Sequence, residues 1–175
     1  MSAPLSLSDV LEASRLFELR QAVVAGLKTL IAGVEVRAHA GKIDLSDVVA
    51  EDTFVAPSIL VALTKFTVDP RLSGSEDDCA HLAAYVIVED TIVDGKRVER
   101  DEIGPAICDA IAHFLSQPNK NPMWGLDMVG LPEDVAGQPV FTAKTFAKGL
   151  AFYAVTWKQE LFARGTPMFG EGDDV

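Results

Sequence analysis

Apolar residues recur every three or four positions near the start of the chain, at Leu16, Leu19, Val23, Leu27 and Leu30. That spacing describes one stripe along a helix. Ser6 or Ser8 suits its N-cap, Asp9 and Glu12 suit the positive end of its dipole, and Gly33 suits its stop. A single helix from Asp9 to Ala32 is predicted, about 36 Å long. Val34–Ala38 then alternates apolar with polar residues, which reads as a short strand. Gly41–Ala56 carries mixed signals, with a helical turn read at Asp44–Val49. Pro57 introduces a buried strand over Ser58–Phe66. Asp69–Asp78 is rich in turn formers and reads as a polar loop. Ala80–Val93 reads as a second long strand, bulged where Glu89 and Asp90 interrupt the apolar run, and Asp94-Gly95 is a turn dipeptide.

The second helix has the clearest pattern. Ile103, Ile107, Ile111 and Phe114 repeat at helical spacing, and Ala106, Ala110 and Leu115 widen the stripe. Asp101 and Glu102 near its start and Pro118 after its end give bounds of about Arg100 to Gln117. Gln117–Pro139 holds four prolines and three glycines, so it reads as loop with a short strand at Leu126–Leu131. Gln138–Phe146 is read as extended or partly helical. The last element is the most distinctive. Leu150, Phe152, Ala154 and Thr156 alternate with Ala151, Tyr153, Val155 and Trp157, ending in Lys158-Gln159-Glu160. Both faces are mostly apolar, so this strand is expected inside a sheet covered on each side.

Consecutive strands without intervening helices predict an α+β fold: an antiparallel or mixed sheet of about four strands with two main helices packed on it. Residues 1–162 read as one domain, and residues 163–175 as a flexible acidic C-terminal tail. No apolar run reaches the roughly 18–20 residues needed to cross a bilayer. Met1–Leu5 lacks a basic segment followed by an apolar one, so a cytosolic origin is expected.

Charge narrows the function classes. The formal net charge is -11, and no run of lysines and arginines forms the basic patch that phosphate backbones require. Acidity mostly serves solubility. Cys79 and Cys108 fit a reduced compartment better than a disulfide framework, with Cys108 a small hydrophobe in the helical stripe.

Catalytic signatures are missing: there is no Gly-x-Gly-x-x-Gly, no P-loop and no Gly-x-Ser-x-Gly elbow. Asp77-Asp78-Cys79-Ala80-His81 contains carboxylate, thiolate and imidazole, and Cys79 and His81 would share one strand face. It lacks the second ligand pair of known zinc motifs. Cys108 and His113 lie five residues apart on a helix, rotated by roughly 140°, and would not meet. His113, at the edge of the stripe, reads as partly buried and hydrogen-bonded. Trp124, Trp157, Tyr85, Tyr153 and Phe152 lack accompanying cations, so they read as core or subunit-interface packing rather than base-stacking platforms. No enzyme activity, cofactor or metal is expected.

Three features, in order, carry a resemblance. They are the Pro57–Phe66 strand followed by the Ala83–Val88 strand, the Asp101–Ile111 helix followed at a distance by Trp124, and the Gly149–Gln159 segment. In this order and spacing the chain resembles the tail-terminator proteins of Mu-like tailed phages. The resemblance implies a lambda-type tail-terminator fold and a homohexameric ring that caps the tail tube at its head-proximal end. Such a ring ends elongation and forms the joining surface for the neck and head-completion proteins. The implied place is the virion tail, assembled in the host cytoplasm, with DNA passing through the ring without specific binding and no membrane contact. An acidic lumen would suit that passage. Arg71, Lys144, Lys148 and Trp124 are the candidates for contacts with neighbouring subunits or the tube. The alternatives are another neck or head–tail connector ring, or a small metal- or thiol-dependent α+β enzyme using Cys79 and His81.

Overall fold

The computed structural model describes residues 4–43, 55–70, 76–140 and 149–162. Two helices open the chain, α1 (Leu7–Ala13) and α2 (Arg15–Leu30), where the apolar period predicts one. The break is at Ser14, which ends α1 in an extended conformation and caps α2 by accepting from the Phe17 amide. A serine hydroxyl offers the backbone an alternative to helix continuation, and here it takes it. Ser6 caps α1 through a capping box with Asp9. Only α2 buries its stripe, at Leu19, Val23, Val24 and Leu27.

A mixed five-stranded sheet follows. Its strands are β1 (Glu35–His39), β2 (Ser58–Pro70), β3 (Glu76–Glu89), β6 (Glu133–Pro139) and β7 (Leu150–Leu161), in the order β1-β2-β3-β7-β6. β1 runs parallel to β2, and the other neighbours are antiparallel. Between β3 and the next helix stands a small hairpin of β4 (Thr91–Val93) and β5 (Lys96–Val98). The Asp94-Gly95 turn joins them with φ of 51° and 77°, as a two-residue hairpin requires. Helix α3 (Arg100–Leu115) comes next, two residues shorter than predicted, and then a 3₁₀ turn at Pro118–Lys120. Among the described residues the architecture is α+β, with three helices and one more strand in the main sheet than the pattern predicts.

Three expectations are overturned. Glu76, Asp77 and Asp78 belong to β3 rather than to a loop, and Asp77 and Asp78 are buried. The β2–β3 ladder runs on past the apolar residues, because backbone pairing does not depend on hydrophobic side chains. Glu89 and Asp90 do not bulge a long strand: β3 ends at Glu89 and the chain turns into the hairpin, while the irregularity lies in β2 between Leu63 and Lys65. β6 occupies residues read as loop, and the strand predicted at Leu126–Leu131 reduces to one bridge between Val129 and Leu161. The helical turn read at Asp44–Val49 and the C-terminal tail lie outside the described residues.

Both sheet faces are buried over the central strands. On one, α2 and α3 cover Ile59, Val61, Leu82, Ala84, Val86, Tyr153, Val155 and Trp157. On the other, Leu60, Ala62, Ala83, Tyr85, Ile87, Phe152 and Ala154 form a second, smaller cluster. β7 thus has the two-sided burial its composition predicts. Among the described residues no helix is long and apolar enough to cross a membrane.

Candidate functional site

Continuing the inward period of β7 past Tyr153, Val155 and Trp157 leads to Gln159, which is fully buried. Its amide is saturated. Oε1 accepts from the indole Nε1 groups of Trp124 at 2.8 Å and Trp157 at 3.0 Å. Nε2 donates to the carbonyls of Pro122 and Gly130, each at 3.0 Å. A buried amide with both oxygen lone pairs and both protons used costs little to bury. It also pins two points of the proline-rich loop after α3. That loop is held further where Gly130 N donates to Glu160 O and Phe162 N to Met128 O.

Trp124 is therefore placed within its own chain. Its ring lies 5.4 Å from that of Phe114 and 6.5 Å from that of Trp157. A Cβ added at Gly26 of α2 would meet the indole at 2.5 Å, so this helix approaches through a glycine. The backbone of Trp124 takes φ of 63°, a conformation that bulky residues avoid, and the indole's two-sided packing and hydrogen bond hold it there. Arg71, Lys144 and Lys148 lie outside the described residues.

A second close approach joins α3 to β7. A Cβ at Gly104 would stand 2.1 Å from Cε2 of Tyr153, so only glycine lets the helix sit this near the ring. Asp90 fixes the hairpin to the start of the same helix. Its carboxylate accepts from Arg97 Nη2 at 2.7 Å, and from Arg100 Nη1 and the Arg100 amide, each at 3.1 Å. Glu99, the N-cap of α3, makes no capping bond with its side chain, so Asp90 serves an otherwise open helix end. The Arg97 hydrogen bond, then the Arg100 amide, hold the Asp90 carboxyl below the usual carboxylate range.

Cys79 and His81 do share a sheet face, the one opposite the helices. In register, Lys65, His81 and Lys158 stand opposite one another across β2, β3 and β7, and Thr67, Cys79 and Glu160 form the next row. The chemistry of these rows does not favour a nucleophile. Burial, then the charge of Glu160, push the Cys79 thiol up. Burial, then Lys65 and Lys158, pull the His81 imidazolium down. Both groups are thus held neutral, and the side chain hydrogen-bonded to the Cys79 thiol is Thr67 rather than His81. Lys158 is paired with Asp134. Among the described residues no three His, Cys, Asp or Glu side chains gather into a metal-holding group.

The remaining candidates are equally spare. Cys108 is buried in the core, its thiol pushed up to about 11 by burial. His113 is exposed rather than half-buried, with Nε2 3.6 Å from Asp109 Oδ1. The apolar stripe of α3 turns away from it. A cleft of about 310 Å³ opens on the second sheet face, between Thr64, Tyr85, Gln138 and Phe152. Among the described residues its ionisable lining is Lys42 and Tyr85, with no carboxylate or imidazole beside them.

Gln159, Gly104, Gly26 and Asp90 are the organising residues that the sequence reading missed. Gln159 alone left a signal, a polar side chain at an inward position of an apolar strand. Comparison with protein-family models and with curated protein sequences finds no match.

Proposed function

We propose that this chain is a structural protein of a phage tail, a terminator that caps the tail tube at its head-proximal end as a homohexameric ring. The observation that carries the reading is the mutual packing of the three segments that bear the resemblance. β2 and β3 pair with each other and β3 pairs with β7. The helix α3 seats Gly104 against Tyr153 of β7, and Trp124 reaches Gln159 of the same strand. Segments far apart in sequence thus form one core.

Function here is by shape. The partners are further copies of the chain, the tail tube protein below and neck or head-completion proteins above, and DNA traverses the ring without specific binding. A ring of this kind closes through heterologous contacts, each copy offering two different surfaces. The enzyme alternative has less support, because Cys79 and His81 are both held in their neutral forms and the thiol is hydrogen-bonded to Thr67.

The test is light scattering on a sizing column with negative-stain imaging of the same peak, before and after adding purified tail tubes. Sixfold rings, alone or at tube ends, support the reading. A species that never forms rings and leaves tube ends bare sinks it.

A further inference from the structure

Two small elements show apolar side chains to solvent. The β4–β5 hairpin has them on both faces: Ile92 is 74% exposed, and Val93, which points the other way, is 49% exposed. Asp90 holds Arg97 and Arg100 at the base of this arm, which fixes its direction and lowers the ordering cost of docking it. The other element is α1, seven residues long and with none of them buried. Leu7 and Leu11 lie one turn apart on one face of it, 75% and 51% exposed. A lone two-stranded hairpin and a helix this short are each marginal in water. A partner that covers them supplies the packing they lack.

One copy cannot supply that cover by itself, because the two elements stand at opposite ends of the sheet. The β3–β7 ladder runs from Asp78–Leu161 to Glu89–Leu150, about 36 Å at 3.3 Å per residue. The hairpin leaves from the Glu89 end. Helix α1 adjoins the other end. Arg15, just past the Ser14 break, donates to the Asp127 carbonyl at 2.7 Å, and the following Met128 and Val129 pair with Phe162 and Leu161. The seven-residue helix and the three-residue strands each reach only about 10 Å.

Charge selects a second copy as the partner. Lys96 stands opposite Val93 in the hairpin and shares its face. It is exposed and, among the described residues, has no carboxylate partner. On α1, Asp9 is engaged by Ser6, but Glu12 beside Leu11 is exposed and likewise makes no ion pair among the described residues. The arm is apolar and basic, the helix face apolar and acidic.

We propose that the β4–β5 hairpin of one copy docks on α1 of the next, bringing its apolar tip to Leu7 and Leu11 and Lys96 to Glu12. The two surfaces differ, so the contact is head to tail and each copy both gives and receives an arm. It supplies the two surfaces that the ring proposed above requires, and rests on that reading only for closure at six copies.

Light scattering of the full chain over a range of concentrations tests it, alongside Lys96→Glu and Glu12→Lys. The wild type is expected to assemble beyond a dimer. Each single reversal sets like charges together and is expected to raise the concentration needed for assembly roughly tenfold. The double reversal restores assembly, and so does an equimolar mixture of the single variants, whose copies then alternate. Ile92→Ser and Leu11→Ser are expected to weaken assembly without altering charge. All four positions are exposed, so the urea midpoint of each variant should stay near that of the wild type. A wild type that stays monomeric overturns the proposal. So do rings whose assembly ignores both reversals and both serine variants, and such rings would leave the tube-capping reading standing. Assemblies that depend on the arm but leave tube ends bare would support the contact and sink that reading.

Discussion

The indole Nε1 of Trp124 lies 2.8 Å from Oε1 of Gln159, a residue 35 positions later that is shielded completely from solvent. Through this contact the loop after α3 is tied to the centre of the sheet, and the same amide holds Trp157, Pro122 and Gly130.

Gln159→Leu should therefore be among the more damaging single changes in the chain. Leucine fits the volume but orphans two indole N–H groups and leaves two carbonyls without their donor. Each unsatisfied buried group costs on the order of 1–3 kcal/mol, partly relieved by entering water, so a net loss of about 3–5 kcal/mol is expected. Urea unfolding followed by tryptophan fluorescence reads it directly. A loss below about 1 kcal/mol would show that the amide network carries no stability.

Gly104→Ala sets helix propensity against packing. Alanine favours a helix interior by about 1 kcal/mol over glycine. The added methyl, however, would sit 2.1 Å from the Tyr153 ring, and overpacking costs typically about 1–3 kcal/mol. A net destabilisation is expected. Combined with Tyr153→Ala, the same substitution should turn stabilising, a coupling that a double-mutant cycle in denaturant measures. Equal effects of Gly104→Ala in both backgrounds would refute the clash.

Asp90 makes the β4–β5 hairpin sensitive to acid. Its carboxyl is held below the usual carboxylate range by Arg97 and the Arg100 amide. A carboxylate with a depressed folded-state pKa stabilises the fold at pH above the ordinary carboxylate value. That contribution fades as pH falls through the depressed one. Hydrogen exchange of residues 91–98 should thus quicken on acidification beyond the intrinsic pH effect. Asp90→Asn should show the loosened hairpin at neutral pH and no further acid response. An unchanged hairpin in that variant would remove Asp90 from this role.

The two thiols should differ sharply in reactivity. Cys108 is buried with its thiol pushed up to about 11, whereas Cys79 is only half-buried, its thiol raised by that burial and by Glu160. Thiolate is the reacting form, so near pH 8 iodoacetamide should modify Cys79 first and Cys108 only as the protein opens. Peptide mass spectrometry over time distinguishes them. Faster modification of Cys108 would contradict the packing of α3 on the sheet.

Local patterns in the sequence determine much of this protein. The two-sided apolar alternation of Leu150–Trp157 makes β7 a central strand, because a strand buried on both faces has no polar face to show. The period of Ile103, Ile107 and Ile111 makes α3, and Asp94-Gly95 makes its hairpin turn, since each depends on residues a few positions apart. The tertiary structure alone decides what depends on distant neighbours. Ser14 breaks the first helix because only α2 has a sheet beneath it. Asp77 and Asp78 enter a strand because β2 and β7 extend beside them. β6 forms from proline- and glycine-rich sequence because β7 presents a ladder to join. Gln159, polar by type, is buried because Trp124, Trp157, Pro122 and Gly130 converge on its amide from separate parts of the chain. Hydrophobic periodicity records which face a residue turns inward, but a hydrogen-bond partner 35 positions away leaves no period to read.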